Sequence, residues 1–270
     1  MATSLAAAYR EFIDEAFHLR RPARLERWLT DDYAAVDAFQ PARAGGPDGT
    51  AAYCAATLAA LPVLRYDVVD TLEVDGRLAV RYVAVGVDHG GRRVVVPGMS
   101  FHHGHGGKLA RSWNVLDLRD LGRHTDTDVT PAEAERWRAH AAVTPGPHAR
   151  TYAAVVDRLY GAPGPTEALI DPEYRAFDPF ADLARTAASA TALHQRVRDA
   201  LVDARLEVLD SFEAGDQLAT RFLVTGKVDG RPLAVPGLSI NHLRGGRLHR
   251  ADLYCRYGSL LALARTGAEA

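Results

Sequence analysis

Apolar residues in the first stretch of the chain fall at Leu5, Ala8, Tyr9, Phe12, Ile13 and Ala16. That i, i+3, i+4, i+7 stripe predicts a helix with one buried face. A second stripe of the same kind runs through Tyr152, Val155, Val156, Leu159 and Tyr160. Between the two stripes the period changes. The pattern predicts a short strand over 33–39, a helix over 50–61, and four strands over 65–72, 78–87, 93–103 and 108–116. Gly-containing turns divide the last four, as antiparallel hairpins require. After the second stripe the order returns, with a short strand over 174–180, a helix over 190–202 and further strands behind it. Helices first and a meander of strands after them is an α+β arrangement.

The recurrence extends to individual residues. Val96-Pro97-Gly98-Met99-Ser100-Phe101-His102-His103-Gly104-His105-Gly106-Gly107-Lys108-Leu109 aligns without a gap on the segment from Val235 to Leu248, and 8 of the 14 positions are identical at an offset of 235 − 96 = 139. Upstream, Leu78-Ala79-Val80-Arg81-Tyr82 matches Leu218-Ala219-Thr220-Arg221-Phe222 at an offset of 140. Further back, Tyr33 and Asp37 match Tyr174 and Asp178 at 141. Such slow drift fits hairpin turns of slightly different length in two copies of one domain. We therefore expect domains over 1–121 and 149–270, joined by a linker over 122–148. Thr130-Pro131-Ala132-Glu133 reads there as a capping box with Pro at the first helical position, starting a short helix that ends before Pro145-Gly146-Pro147.

Composition removes several functions. The net charge is −2 over 270 residues, with no cluster of Lys and Arg, so no nucleic-acid partner is expected. No apolar run approaches the ~20 residues that span a bilayer, and the N-terminus has no signal pattern, so a cytoplasmic protein without a membrane partner is expected. The two cysteines, Cys54 and Cys255, lie in different copies without metal-type spacing and read as core residues. His102, His103 and His105 form a cluster that the second copy does not repeat, so no metal and no cofactor are expected.

The element order resembles the cone of the NTF2-like superfamily, and particular residues resemble its SnoaL-like branch. Gly107-Lys108-Leu109-Ala110-Arg111-Ser112-Trp113-Asn114-Val115-Leu116-Asp117 is similar to the closing motif of that branch, and Asp31-Asp32-Tyr33 to an early one. The second copy keeps Gly246-Arg247-Leu248 but has Asp252 and Arg256 where Trp113 and Asp117 stand. The resemblance implies two tandem cones paired as an intramolecular pseudo-dimer. It also implies a cofactor-free enzyme or binder for a hydrophobic small molecule, with cyclisation of a polyketide as the leading reaction.

A carboxylate inside an apolar cone is desolvated, which brings it toward a useful acid–base range. Asp37 and Asp178 are the first candidates, as bases. Asp178-Pro179 resembles the Asp-Pro of ketosteroid isomerase. Asp67 and Glu207 are the second pair, as acids, since tandem polyether epoxide hydrolases use an Asp and a Glu in comparable elements. Asp70 and Asp210 recur beside them, and the spacing leaves open which set faces inward. Counting Met99, Phe101, His103 and Leu238, Ile240, His242 as one face turns His103 and His242 inward as proton shuttles. The oxyanion-donor position of ketosteroid isomerase then falls on Met99 or Leu238, which argues against steroid isomerisation and against a limonene-type epoxide hydrolase triad. Three readings stay open: two active cones, one active cone beside a scaffold, or a binding protein.

Overall fold

The computed structural model describes residues 4–38, 45–116, 131–161, 164–179 and 186–256. These fall into two compact units, Met1–Thr125 and Asp126–Ala270. The first opens with helix α1 (Leu5–Ile13), which continues through a π-helical turn and a short 3-10 segment into strand β1 (Leu29–Asp37). Helix α2 (Gly46–Ala60) follows, then β2 (Val63–Val74), β3 (Arg77–Val87), β4 (Arg93–His105) and β5 (Lys108–Leu116). The sheet order is β1-β5-β4-β3-β2. Only the β1–β5 pairing is parallel.

In the second unit α3 (Pro131–Arg138) and the two-residue strand β6 (Ala142–Val143) precede α4 (Pro147–Tyr160), β7 (Ile170–Phe177), α5 (Ala187–Ala200) and β8 (Val202–Ala214). The chain then runs through β9 (Gln217–Val228), β10 (Arg231–Arg244) and β11 (Arg247–Cys255). The order β6-β8-β9-β10-β11-β7 repeats the first sheet and adds β6 at one edge. The expected interdomain helix is thus built into the second unit. The indole of Trp137 is buried and donates to the Phe222 carbonyl at 3.1 Å. Arg221, fully buried, donates to the carbonyls of Trp137, Ala139 and His140 at the end of α3. A cation there satisfies carbonyls that the helix leaves without partners. Thr130, the expected cap of this helix, and Asp117 lie outside the described residues.

A complementary device seats α1 and α4 on their sheets. The Glu73 carboxylate on β2 accepts from the backbone N–H groups of Leu5 and Ala6, at 2.7 and 3.0 Å. Glu213 on β8 accepts from Ala149 at 3.0 Å. Each acid completes a helix N-terminus, where negative charge is favoured. The apolar stripe of α1 then packs on Leu78, Val80 and Tyr82 of β3. The Val-Pro-Gly repeat also has a physical cause. Gly98 stands directly across from Tyr82, and a Cβ there would run into the phenol ring. Gly237 meets Phe222 in the same way. Both cysteines are buried and outside any disulfide, as their sequence context predicted. Among the described residues no helix is long and apolar enough to cross a membrane.

Candidate active site

Which residues face the inside of each cone is decided by register. On β3, Leu78, Val80 and Tyr82 meet α1, so their cross-strand partners His102, Ser100 and Gly98 on β4 face inward with them. Their neighbours on β5, Ser112 and Asn114, share that face. Met99, Phe101 and His103 therefore point to the other side, with Trp113 and Val115. The inward reading of His103 is corrected accordingly. Its ring meets Trp113 edge-on at 4.9 Å. His242 likewise shares the outer face with its cross-strand neighbour Arg250 and lies 3.8 Å from Asp252. The alternation misled because the outer positions are as apolar and as buried as the inner ones: Met99, Phe101 and Val115 have no exposed surface. An antiparallel sheet with one wet face alternates cleanly, and these central strands have no wet face.

A bulge settles the acidic strands. The β2–β3 register slips between Val68 and Asp70, so Val68 faces inward opposite Tyr82 while Asp67 and Asp70 both face outward. Asp67 is bonded at 2.6 Å to Arg65 and is substantially exposed. The second unit repeats the slip between Val208 and Asp210. Glu207 is exposed and bonded to Arg138 at 3.0 Å. Asp67 and Glu207 are therefore not brought together with Asp37 and Asp178. Asp210 is fully buried on the outer face, 3.9 Å from Arg221, and burial pulls that guanidinium down to about 10.

Asp37 is inside. It ends β1, opposite Asn114 in the parallel β1–β5 pairing. The Asn114 amide donates to its carboxylate at 2.6 Å, and the Ser112 hydroxyl donates to the Asn114 carbonyl oxygen at 3.0 Å. A second polar chain lies across the strand: His102 Nε2 bonds the Ser100 hydroxyl at 2.8 Å, and Ser100 bonds the Tyr9 phenol. Tyr9 stacks at 4.9 Å on His102. Asp37, Asn114, Ser112, His102 and Tyr9, with Tyr66 and Tyr82, line a cavity of about 50 Å³. Burial drives the phenols of Tyr9 and Tyr82 well above the usual tyrosine range. The Tyr82 shift is reinforced by neighbouring tyrosines and by Asp37. Both phenols are therefore neutral hydrogen-bond donors at any ordinary pH.

The second cone is different at the same positions. Its cavity is also about 50 Å³, but Ala251 and Leu253 stand where the first cone has Ser112 and Asn114. Asn241 replaces His102 and donates to Ser239 at 2.8 Å. Ser239 bonds Thr220 at 2.6 Å, and both bond Tyr152. Asp178 is 1% exposed and lies outside the cavity lining. Tyr160 and His194, hydrogen-bonded at 2.8 Å, add a second polar pair to the wall. The histidines of the first copy do not converge on a metal site: His102 faces inward, His103 outward, and His105 is exposed.

The residues missed from sequence are His102, Asn114, Ser112, Tyr9 and Tyr82. Their signal was present as polar residues spaced by two, Ser100 with His102 and Ser112 with Asn114, in otherwise apolar strands.

The SnoaL-like domain model matches the chain twice, over residues 9–112 and 149–251. Solved structures similar to it include a SnoaL-like polyketide cyclase from Agrobacterium tumefaciens. It is 22% identical over 45% of this chain and 97% of its own, with a TM-score of 0.39. Another is TsrD from Streptomyces laurentii, 21% identical over 43% of this chain and 93% of its own, with a TM-score of 0.38. No curated protein matches the chain.

Proposed function

The chain belongs to the SnoaL-like domain family through both of its halves, and on that premise we propose that the first is an acid–base enzyme for a hydrophobic small molecule while the second is its scaffold. One observation carries this. The Asp37 carboxylate, oriented by Asn114, shares a cavity with His102 and two neutral phenols, and the second cone has Ala251 and Leu253 instead of the residues that hold it. The reaction that fits is proton abstraction next to a carbonyl, followed by aldol-type ring closure of a polyketide-like substrate. Asp37 removes the α-proton. Tyr9, Tyr82 or His102 donates a hydrogen bond to the enolate oxygen. The enolate carbon attacks a second carbonyl, a carbon–carbon bond forms, and a proton returns to the new alkoxide.

Epoxide opening needs a base and an acid at one substrate. Asp67 faces outward against Arg65, so that pair is not assembled. A pure binding protein would be favoured by an apolar residue at the oxyanion-donor position, but Met99 faces away from the cone. The cavity constrains the substrate: about 50 Å³ holds a few waters, against roughly 300–1,000 Å³ for a drug-sized ligand. A slender end of the substrate enters, and its bulk stays at the mouth.

Deuterium exchange at the α-carbon of a small 1,3-diketone, followed by NMR, tests the base. Asp37→Asn should slow exchange by about 100-fold or more, the usual worth of a positioned base. Asp178→Asn should stay within about twofold of the parent protein. Equal rates for Asp37→Asn and the parent protein would remove the assignment.

A further inference from the structure

A further cavity lies outside both cones. It has a volume of about 610 Å³ and sits between α3 and the outer face of β8, β9 and β10. That is within the range of small-molecule sites, whereas each cone cavity is about 50 Å³. Its origin is visible in the sequence. Helix α3 is held at its C-terminal end by Trp137 and Arg221, while Ala132 and Ala134 line the space nearer its N-terminal end. Two methyl groups cannot fill the space that larger side chains would close. The floor is Thr225 and Gly226 on β9 with Pro232, Leu233 and Ala234 on β10, and is largely apolar.

The rim is charged, and most of that charge is already matched. Arg138 is bonded to Glu135 at 2.8 Å and to Glu207 at 3.0 Å, and Lys227 to Asp203 at 3.1 Å. Arg205 is the exception. It lines the same rim and is exposed, and its guanidinium makes no hydrogen bond or ion pair among the described residues. An apolar floor beneath one unmatched guanidinium fits a ligand with an apolar body and a single anionic head, which a guanidinium binds in bidentate fashion. We propose that this pocket binds a small amphipathic carboxylate, at a site separate from the acid–base cone. In the first copy the positions of Thr225, Leu233 and Ala234 are held by Val85, Val94 and Val95, so the floor is not repeated there.

Isothermal titration of the full chain with decanoate tests this, with decanol as the uncharged control. The expected result is one site per chain for decanoate and at least about tenfold weaker binding of decanol, the worth of a charge-assisted hydrogen bond. Arg205→Glu, on an exposed position that does not threaten folding, should weaken decanoate by about tenfold or more. Thr225→Trp should abolish binding by filling the floor. Asp37→Asn should bind as the parent protein does, which separates this pocket from the cone. No decanoate binding to the parent protein overturns the proposal, as does parent-like binding by both Arg205→Glu and Thr225→Trp. Equal affinity for decanol removes the carboxylate.

Discussion

The two cones are built on the same strand order and the same glycines, and yet only one keeps a polar interior around an acid. In the first, Asn114 and Ser112 form a chain that ends on the Asp37 carboxylate. In the second, the corresponding β11 residues are Leu253 and Ala251, and a hydroxyl cluster of Tyr152, Thr220 and Ser239 takes over the interior. What is retained in both copies is what the fold needs: the Gly opposite an aromatic ring, the Glu at a helix start, the bulge in the second long strand. What diverges is the polar lining of the cavity. Duplication therefore separates the residues that hold the sheet from the residues that line the cavity, inside one chain.

The comparison breaks most forcefully at α3, which packs on the sheet of the second unit. Trp137→Ala removes a buried indole and its bond to Phe222. Truncations of this kind cost about 3–5 kcal/mol. Hydrogen exchange should show β8 and β9 losing protection while β2 and β3 keep theirs. Uniform loss over both units would mean that the two are not separately stable.

The shared glycines should respond alike. Gly98→Ala and Gly237→Ala each press a Cβ into an aromatic ring. Overpacking of this sort costs about 1–3 kcal/mol, read as a fall in denaturation midpoint. The Gly98→Ala loss should be largely restored by Tyr82→Leu, which withdraws the ring. A Gly98→Ala protein as stable as its parent would show that the ring lies elsewhere.

A smaller effect tests whether Asn114 positions Asp37. Asn114→Leu installs the residue of the second cone. Diketone exchange should slow by about tenfold, as expected when the group that orients a functional side chain is lost. The loss should fall on kcat with KM nearly unchanged, because the acid remains while its orientation does not. Leu253→Asn in the second cone should add no activity, since Asp178 lies outside that cavity. A gain there would show that the second cone is one residue away from function.

The fold was legible because helical stripes, hairpin glycines and an internal repeat all agree. The strand boundaries differ from the expected ones by a few residues. The site was legible only at Asp37. Two physical facts hid the rest. Period-two counting assigns faces only when one face is wet, and Met99, Phe101 and Val115 are buried on the outer side. A single bulged residue then reverses the phase of a strand, which is why Asp67 and Asp70 share a face despite their odd spacing. The pairing of β1 with β5, which carries Asp37 to Asn114, joins residues 77 positions apart and leaves no local trace.

The smallest effect at neutral pH, and the last test of the contrast, is alkaline titration. Tyr9 and Tyr82 in the first cone and Tyr152 in the second are held above the usual phenol value of 10.0, chiefly by burial. The folded protein keeps these protons at a pH where the unfolded chain has released them. Their contribution to stability is thus complete below pH 10 and is lost as pH rises beyond it. A pH jump followed by tyrosinate absorbance should show these phenols ionising only as the protein unfolds. Tyr82→Phe copies Phe222 of the other cone, so it should preserve the fold and remove one phenol from the slow phase. Tyr9→Phe should remove another, and Tyr152→Phe one from the second cone. If Tyr82 instead ionised at once, before the protein unfolds, the first cone would be open to water, and its carboxylate would lack the dry surroundings on which its proposed chemistry depends.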